Sequence, residues 1–496
     1  MPVKSEDGDA GRSVGSVAIG EVDAVAWPLL LRRRLRGELS ERRNPWFVLV
    51  IALIGLFTVS ITITLLAVSL KSIAGDLGST ETTLTWVITG PMLAFGVVGP
   101  ALGKAGDLWG HKRLYLFSLL GAALFAGLSA VAWNALSLIA FRVIGAGLGS
   151  ATGPASMAMI SRVFAPYERP KALGYWAMTG AAAPVLGVVA GGPLVDTVGW
   201  RLIFVVQAPL CLMAAVVALV ALPETTRTPG VHFDFKGASL LGLGVTSLLL
   251  ALNRGSVLGW THPAVVIGFL LAPLALAGFV RAERNAIDAL IPLRYFRLRN
   301  FSAPIVSQFF ANFAYMGGFI LTPLLLEDGL GYKTSHAGLL VIARPLAFAI
   351  AGPLAGYITM RVGERISGVS GALLVAGSMV VLASIAPGTT DLVIITGLAL
   401  SGVGLGISSP AMAATIANAV DENDFGVAGA TQQLLVQVGM LAGIQIMQTI
   451  QVSQQKARGL IDSYHVAYVV GGGVALLGAL TALAVRPSAR LKPSSL

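Results

Sequence analysis

The 496-residue chain has one cysteine, and only 12% of its residues are charged. Cys211 lies within an apolar run, so an intrachain disulfide is excluded and an inert core role is expected. A soluble domain carries about a quarter charged residues. This chain has too few to coat a water-facing surface, so lipid must take the place of water around much of it. The five histidines (His111, His232, His262, His336 and His465) fall in loops or at the ends of apolar runs. With no metal-spaced cluster of His, Asp and Glu and no long polar domain, no metal, cofactor or enzyme activity is expected. The net charge of +10 does not point to nucleic acid. Its basic residues sit between apolar runs and at the termini, with no aromatic-interleaved basic domain.

What is present is apolar: 55% hydrophobic residues and a mean hydropathy of +0.80. About 20 apolar residues in a row cross a bilayer as a helix. Fourteen such runs are expected: 46–70, 84–102, 114–132, 136–160, 172–195, 202–222, 237–253, 264–280, 301–326, 337–359, 366–386, 392–417, 425–450 and 464–485. With both termini inside, 24 Lys and Arg residues fall in cytoplasmic segments and six outside. Such a bias orients membrane proteins and supports an even number of spans. Residues 1–45 lack the order of a signal peptide and read as a basic cytoplasmic tail. Its segment Trp27 to Arg36 is either a headgroup-binding surface element or a plain topology signal. Residues 486–496 form a second cytoplasmic tail.

The chain also repeats itself. Gly145-Ala-Gly-Leu-Gly149 with Pro154 beyond is matched by Gly402-Val-Gly-Leu-Gly406 with Pro410 beyond. A weaker pair joins the loop 103–113 to the loop 356–365. These point to a duplicated six-span unit: 46–222 and 301–485, separated by two extra spans and a cytoplasmic loop in 223–300. Repeats of this kind build transporters that alternate access around a site at the repeat interface.

The run Gly103-Lys-Ala-Gly-Asp107-Leu-Trp-Gly110-His-Lys112-Arg113 closely resembles the loop signature of the major facilitator superfamily. Leu108 and His111 stand where arginines are usual. The fifth run, with Gly180, Pro184, Gly187, Gly191 and Gly192, resembles that family's antiporter signature, Ala183 replacing one glycine. Arg142 matches its membrane arginine. The resemblance extends to the branch of fourteen-span drug:proton antiporters and covers about residues 46–485. It implies an all-α membrane protein of two six-helix bundles plus two central helices, in the plasma (inner) membrane. It also implies multidrug efflux by alternating access.

Each motif has its own physics. Asp107 and the cations beside it can form an ion-pair and helix-dipole latch, made in one conformational state and broken in the other. The small residues of the fifth run permit close helix approach and a bend, or simply generic packing. One departure stands out. The branch carries an aspartate in the first span as a proton-coupling candidate, and Thr62 occupies its place. None of the 24 acidic residues lies well inside a run.

Two membrane arginines, Arg142 and Arg344, must then find partners elsewhere. The expectation is that Arg142 serves as a hydrogen-bond hub near Thr62, while Arg344 faces the cavity and couples with Glu327. The other cavity candidates are Thr58, Gln308, Asn312, Tyr315, Gln433 and Gln437. Two functions follow. One is export of amphipathic drug-like or lipid-like compounds, with protons a candidate coupling ion. The alternative is transport of anionic or lipid substrates through Arg142 and Arg344 without conventional proton antiport.

Overall fold

A computed structural model describes residues 44–61, 66, 72–84, 86–223, 233–286 and 289–486. Thr62, the tail 1–43 and residues 487–496 lie outside the described residues. Fourteen principal helices are numbered here in chain order. They are α1 (Pro45–Ser60), α2 (Trp86–Trp109), α3 (His111–Ala130) and α4 (Ala135–Val163), then α5 (Arg169–Val198), α6 (Arg201–Ala221) and α7 (Phe235–Leu258). The series continues with α8 (Pro263–Asn285), α9 (Arg299–Leu324), α10 (His336–Val362) and α11 (Glu364–Leu382). It ends with α12 (Asp391–Asn418), α13 (Phe425–Arg458) and α14 (Leu460–Leu483).

Twelve helices among the described residues are long and apolar enough to cross a membrane. The expected count of fourteen is therefore not reached. The described part of α1 has 16 residues, about 24 Å at 1.5 Å per residue, which is short of a ~30 Å hydrocarbon layer. The other helix outside the twelve is α5, which is 30 residues long but whose side chains from 184 to 198 are not described.

Prolines set the irregularities. α4 breaks at Ser150 and Ala151, because the Pro154 ring cannot coexist with a regular carbonyl four residues back. Pro345 has the same effect on α10 at Ile342. Large apolar side chains stand exposed on the outer helix faces, Leu270 and Leu274 among them, as lipid contact requires.

The packing pairs early helices with late ones. α2 packs against α13, and α5 against both α10 and α12. α8 packs chiefly on α7, and α7 in turn touches both α2 and α13.

Candidate functional site

Two close crossings shut one face of the molecule, the face bearing the loop 103–113. At the first, α2 meets the start of α13. A Cβ added to Gly426 would lie 2.5 Å from the Gly103 carbonyl oxygen, and one on Gly103 would lie 2.5 Å from the Ala430 Cβ. Only glycine permits that approach.

It brings the Asp107 carboxylate under α13, where it accepts from the amides of Gly426 at 2.9 Å and Val427 at 2.8 Å. Asp107 is buried, so its charge meets the positive end of the helix with little screening. Nε2 of buried His111 stands 3.0 Å from Asp107 Oδ1, and Lys104 Nζ lies 4.0 Å from Asp424. Gly110, at φ 99°, supplies the left-handed turn between α2 and α3.

Of the expected latch, Gly103, Asp107 and Gly110 are brought to this crossing. Its other two members point elsewhere. Lys112 donates to the Leu222 carbonyl at the end of α6 (2.7 Å), and Arg113 is exposed.

Further basic residues hold the α12–α13 connection. Arg162 donates to the Glu422 carbonyl at 3.0 Å. Arg169 reaches Asn418 Oδ1 at 2.6 Å and stacks on Phe425. Tyr295, ahead of α9, donates to Asp424 Oδ2 at 2.6 Å. Burial, and then the Asp424 carboxylate, push its hydroxyl pKa up, so it remains a donor.

The second crossing joins α5 to α10. A Cβ on Gly174 would lie 2.5 Å from the Gly352 carbonyl oxygen, and one on Gly356 would lie 2.6 Å from Lys171 Cα. The close approach expected at Gly180 occurs here instead. Gly180 has open space around it and lines a cavity. Pro184, Gly187, Gly191 and Gly192 belong to α5, but their surroundings lie outside the described residues.

Above the crossings lies a cavity of about 580 Å³ that runs toward Glu327 and Gly338 at the opposite face. Of the expected residues, Arg142, Gln308, Asn312, Tyr315, Glu327, Gln433 and Gln437 line it. Two do not. The Thr58 hydroxyl is turned onto the Gly55 carbonyl at 2.9 Å. Arg344 is wholly buried beside Tyr315, and its Nη1 donates to the Tyr315 carbonyl at 2.7 Å.

The expectation for the two arginines is therefore reversed. Arg344 is not exposed to the cavity and makes no ion pair with Glu327 among the described residues. Gly318 makes room for its guanidinium inside the bundle, with a Cβ there only 3.2 Å from Nη2. Arg142 is the arginine that faces the cavity. Its guanidinium lies over the Phe204 ring at 5.6 Å. Its Nε is shut away without a hydrogen-bond partner among the described residues. A guanidinium in a hydrocarbon setting costs at least ~2.5 kcal/mol, so an anionic or carbonyl partner would stabilise this one.

The remainder of the wall is soft and aromatic. Met92, Met157, Met316 and Met440 alternate with Phe95, Phe125, Trp176 and Phe348. Thioethers and ring faces accommodate many shapes, which suits an apolar ligand of variable form. Sequence reading passed over these, along with Gln207 and Gln432. The signal for the glutamines was present, since each interrupts an apolar stretch, but methionine in a membrane helix carries none.

The sequence profile described as Major Facilitator Superfamily matches residues 52–444 and 305–496. The chain belongs to that superfamily. It is a multi-pass membrane transporter and not an enzyme. One superfamily relative, the tetracenomycin C resistance and export protein of Streptomyces glaucescens, is 29% identical over 420 residues, covering 83% of this chain and 77% of its own length. The multidrug transporter protein MdtP of Bacillus subtilis is 25% identical over 396 residues, covering 80% and 73%. Among solved structures, the human organic anion transporter MFSD10 (TETRAN) superposes with a TM-score of 0.63 at 16% identity, covering 89% of this chain and 100% of that one. The proton:xylose symporter XylE gives 0.61 at 15%, covering 88% and 94%. At such identities the two structures show the superfamily's all-helical fold alone.

Proposed function

We propose that this chain exports amphipathic, largely apolar small molecules from a bacterial cell across its plasma membrane by alternating access. The observation that carries this is the cavity wall: among the described residues, methionine, aromatic and glutamine side chains around one arginine, closed on one face and extending to the other. The names of the two exporters it resembles favour the same reading. Under it, the basic face with its Asp107 latch is cytoplasmic, as are both termini. The chain then has fourteen spans, the twelve long apolar helices together with α1 and α5. They form bundles 46–222 and 301–485 with α7 and α8 between, as in the fourteen-span drug antiporter branch. The latch holds the state that is open outward.

Reconstitution tests this. The purified chain in liposomes should move amphipathic dyes faster than protein-free liposomes do, with Asp107→Asn lowering the rate. A folded chain that moves no dye across a panel of charges and sizes would reject the reading.

A second reading is favoured by Arg142. It takes anionic or lipid-like substrates without conventional proton antiport. Arg142 alone would contact the substrate, because Arg344 lies away from the cavity.

A further inference from the structure

We propose that Arg142 is the moving charge of the transport cycle, and that the cavity carries monoanionic amphiphiles whose net flux follows the membrane potential rather than a proton gradient. This rests on the exporter reading above and adds to it a substrate charge and a driving force.

The argument begins with charge. Arg142 sits in the cavity wall about midway along the first segment of α4, Ala135–Gly149. No ion pair or hydrogen bond to it occurs among the described residues, and its nearest aromatic partner is Phe204. The acids of α1 to α6 are confined to helix ends, at Asp107 and Asp196. Among the described lining residues the one carboxylate is Glu327, which belongs to the turn that ends α9. Among the described lining residues the empty cavity therefore carries one positive charge, in the α4 wall, and one carboxylate, in the turn that ends α9. Arg344 adds nothing that moves, since it is enclosed within the second bundle in contact with Tyr315.

Alternating access converts that charge into a voltage-sensitive step. The field falls mainly across whichever side of the cavity is closed. When the closed side changes, a charge in the cavity wall crosses part of that field without itself moving far. With a monoanion beside Arg142 the loaded cavity is neutral, and its reorientation ignores the field. After release, the empty cavity returns with its positive charge. An inside-negative potential favours that return. One cycle moves one negative charge outward and needs no proton. A cationic substrate would instead bring a second positive charge beside the Arg142 guanidinium, and the one carboxylate among the described lining residues, Glu327, stands beyond the end of α9.

The experiment uses the full chain in liposomes. The probes are the monoanion 8-anilinonaphthalene-1-sulfonate and the cation ethidium, with potentials set by potassium and valinomycin and pH gradients set separately. The anion should accumulate on the positive side, toward a limit of about 50-fold per 100 mV. This limit does not depend on how the protein is oriented in the bilayer, and a pH gradient alone should give no accumulation.

Voltage jumps without substrate should give a transient current in the native chain and in Arg142→Lys, and none in Arg142→Gln. If Arg142→Gln does not fold, the native chain still decides the matter. Saturating anion should abolish its transient, while ethidium should leave it intact. A transient that survives in folded Arg142→Gln, or that ignores the anion, overturns the proposal. So does anion flux that is indifferent to potential. Ethidium flux driven by a pH gradient with no anion flux would leave the exporter reading standing and remove this inference. Flux of neither dye under any gradient would remove both.

Discussion

The Gly426 amide, at the start of α13, donates to the carboxylate of Asp107, a residue 319 positions earlier in the chain. The bond joins the last turn of α2 to the first turn of α13, and Val427 doubles it. A buried carboxylate against a helix N-terminus contributes up to ~2 kcal/mol. That is enough to bias two conformations of similar energy and too little to decide whether the chain folds. Asp107→Asn should retain one acceptor and lose the charge, shifting the balance away from the state closed at this face by about 1 kcal/mol, roughly fivefold. Membrane insertion should be near normal while transport falls. Native transport rates in the folded variant would contradict this role.

The α5–α10 crossing gives a sharper perturbation. In Gly174→Val, the added Cβ would sit 2.5 Å from a backbone oxygen of Gly352, and backbone cannot rotate aside as a side chain can. The overpacking should cost about 1–3 kcal/mol and hold the basic face open. A thiol-reactive probe at a cysteine introduced in place of Ser161, in a chain with Cys211 replaced, should label faster in the Gly174→Val background. Equal labelling rates would show that the crossing tolerates the side chain.

Arg344 and Arg142 should respond differently to substitution. Arg344 is buried with one hydrogen bond, and its Nε and Nη2 have no partner among the described residues. Replacing a poorly paired buried charge by an apolar residue of similar volume is often neutral or stabilising. Arg344→Met should therefore leave thermal stability within about 1 kcal/mol and leave the apparent substrate affinity unchanged. A large change in affinity with intact folding would place Arg344 in contact with substrate after all.

A pH effect is expected at the face opposite the latch. Asp76 accepts from Arg201 and from Trp200 Nε1. These two bonds hold its carboxyl pKa below the ordinary carboxylate value. A depressed carboxyl pKa stabilises the fold above the unfolded-state pKa, and the contribution disappears as pH falls through the folded-state one. The pair is nearly half exposed, so it contributes less than ~1 kcal/mol. Asp76→Asn should lower the melting temperature slightly at neutral pH. The gap should close in acid. A gap that widened on acidification would contradict the sign.

How far the sequence foretold these features depended on the kind of signal each carries. The helices were plain because lipid demands long apolar runs, and each of the expected runs overlaps one of the numbered helices. Gln308, Asn312, Gln433 and Gln437 were legible as cavity residues because a polar group in an apolar span needs a reason to be there. The facing of the two arginines was not legible. Depth follows from counting residues, but facing depends on rotation about the helix axis, and Arg344 turns inward because Gly318 leaves it room.

The glycine repeat was found but aligned out of register. Gly145 packs on Phe125 of α3 and Gly147 on Val98 of α2. In the later helix, Gly404 packs on α11 and Gly406 on α10. The packing thus pairs Gly145 with Gly404 and Gly147 with Gly406. Matching letters had paired Gly147 with Gly404, because a Gly-x-Gly-x-Gly string matches at three glycines in that register and at only two when slid to the one the packing uses.

The placement of α7 bears on how a molecule dissolved in the bilayer could reach the cavity. Two seams run between early and late helices, one beside α2 and α13 and one beside α5 and α10. α7 lies against both helices of the first seam, with α8 behind it. An amphiphile diffusing sideways in a leaflet finds that seam walled off by two extra helices. For a solute that enters directly from lipid the α5–α10 side would then be the shorter way in, and the two flanks of the molecule are unequal as doors.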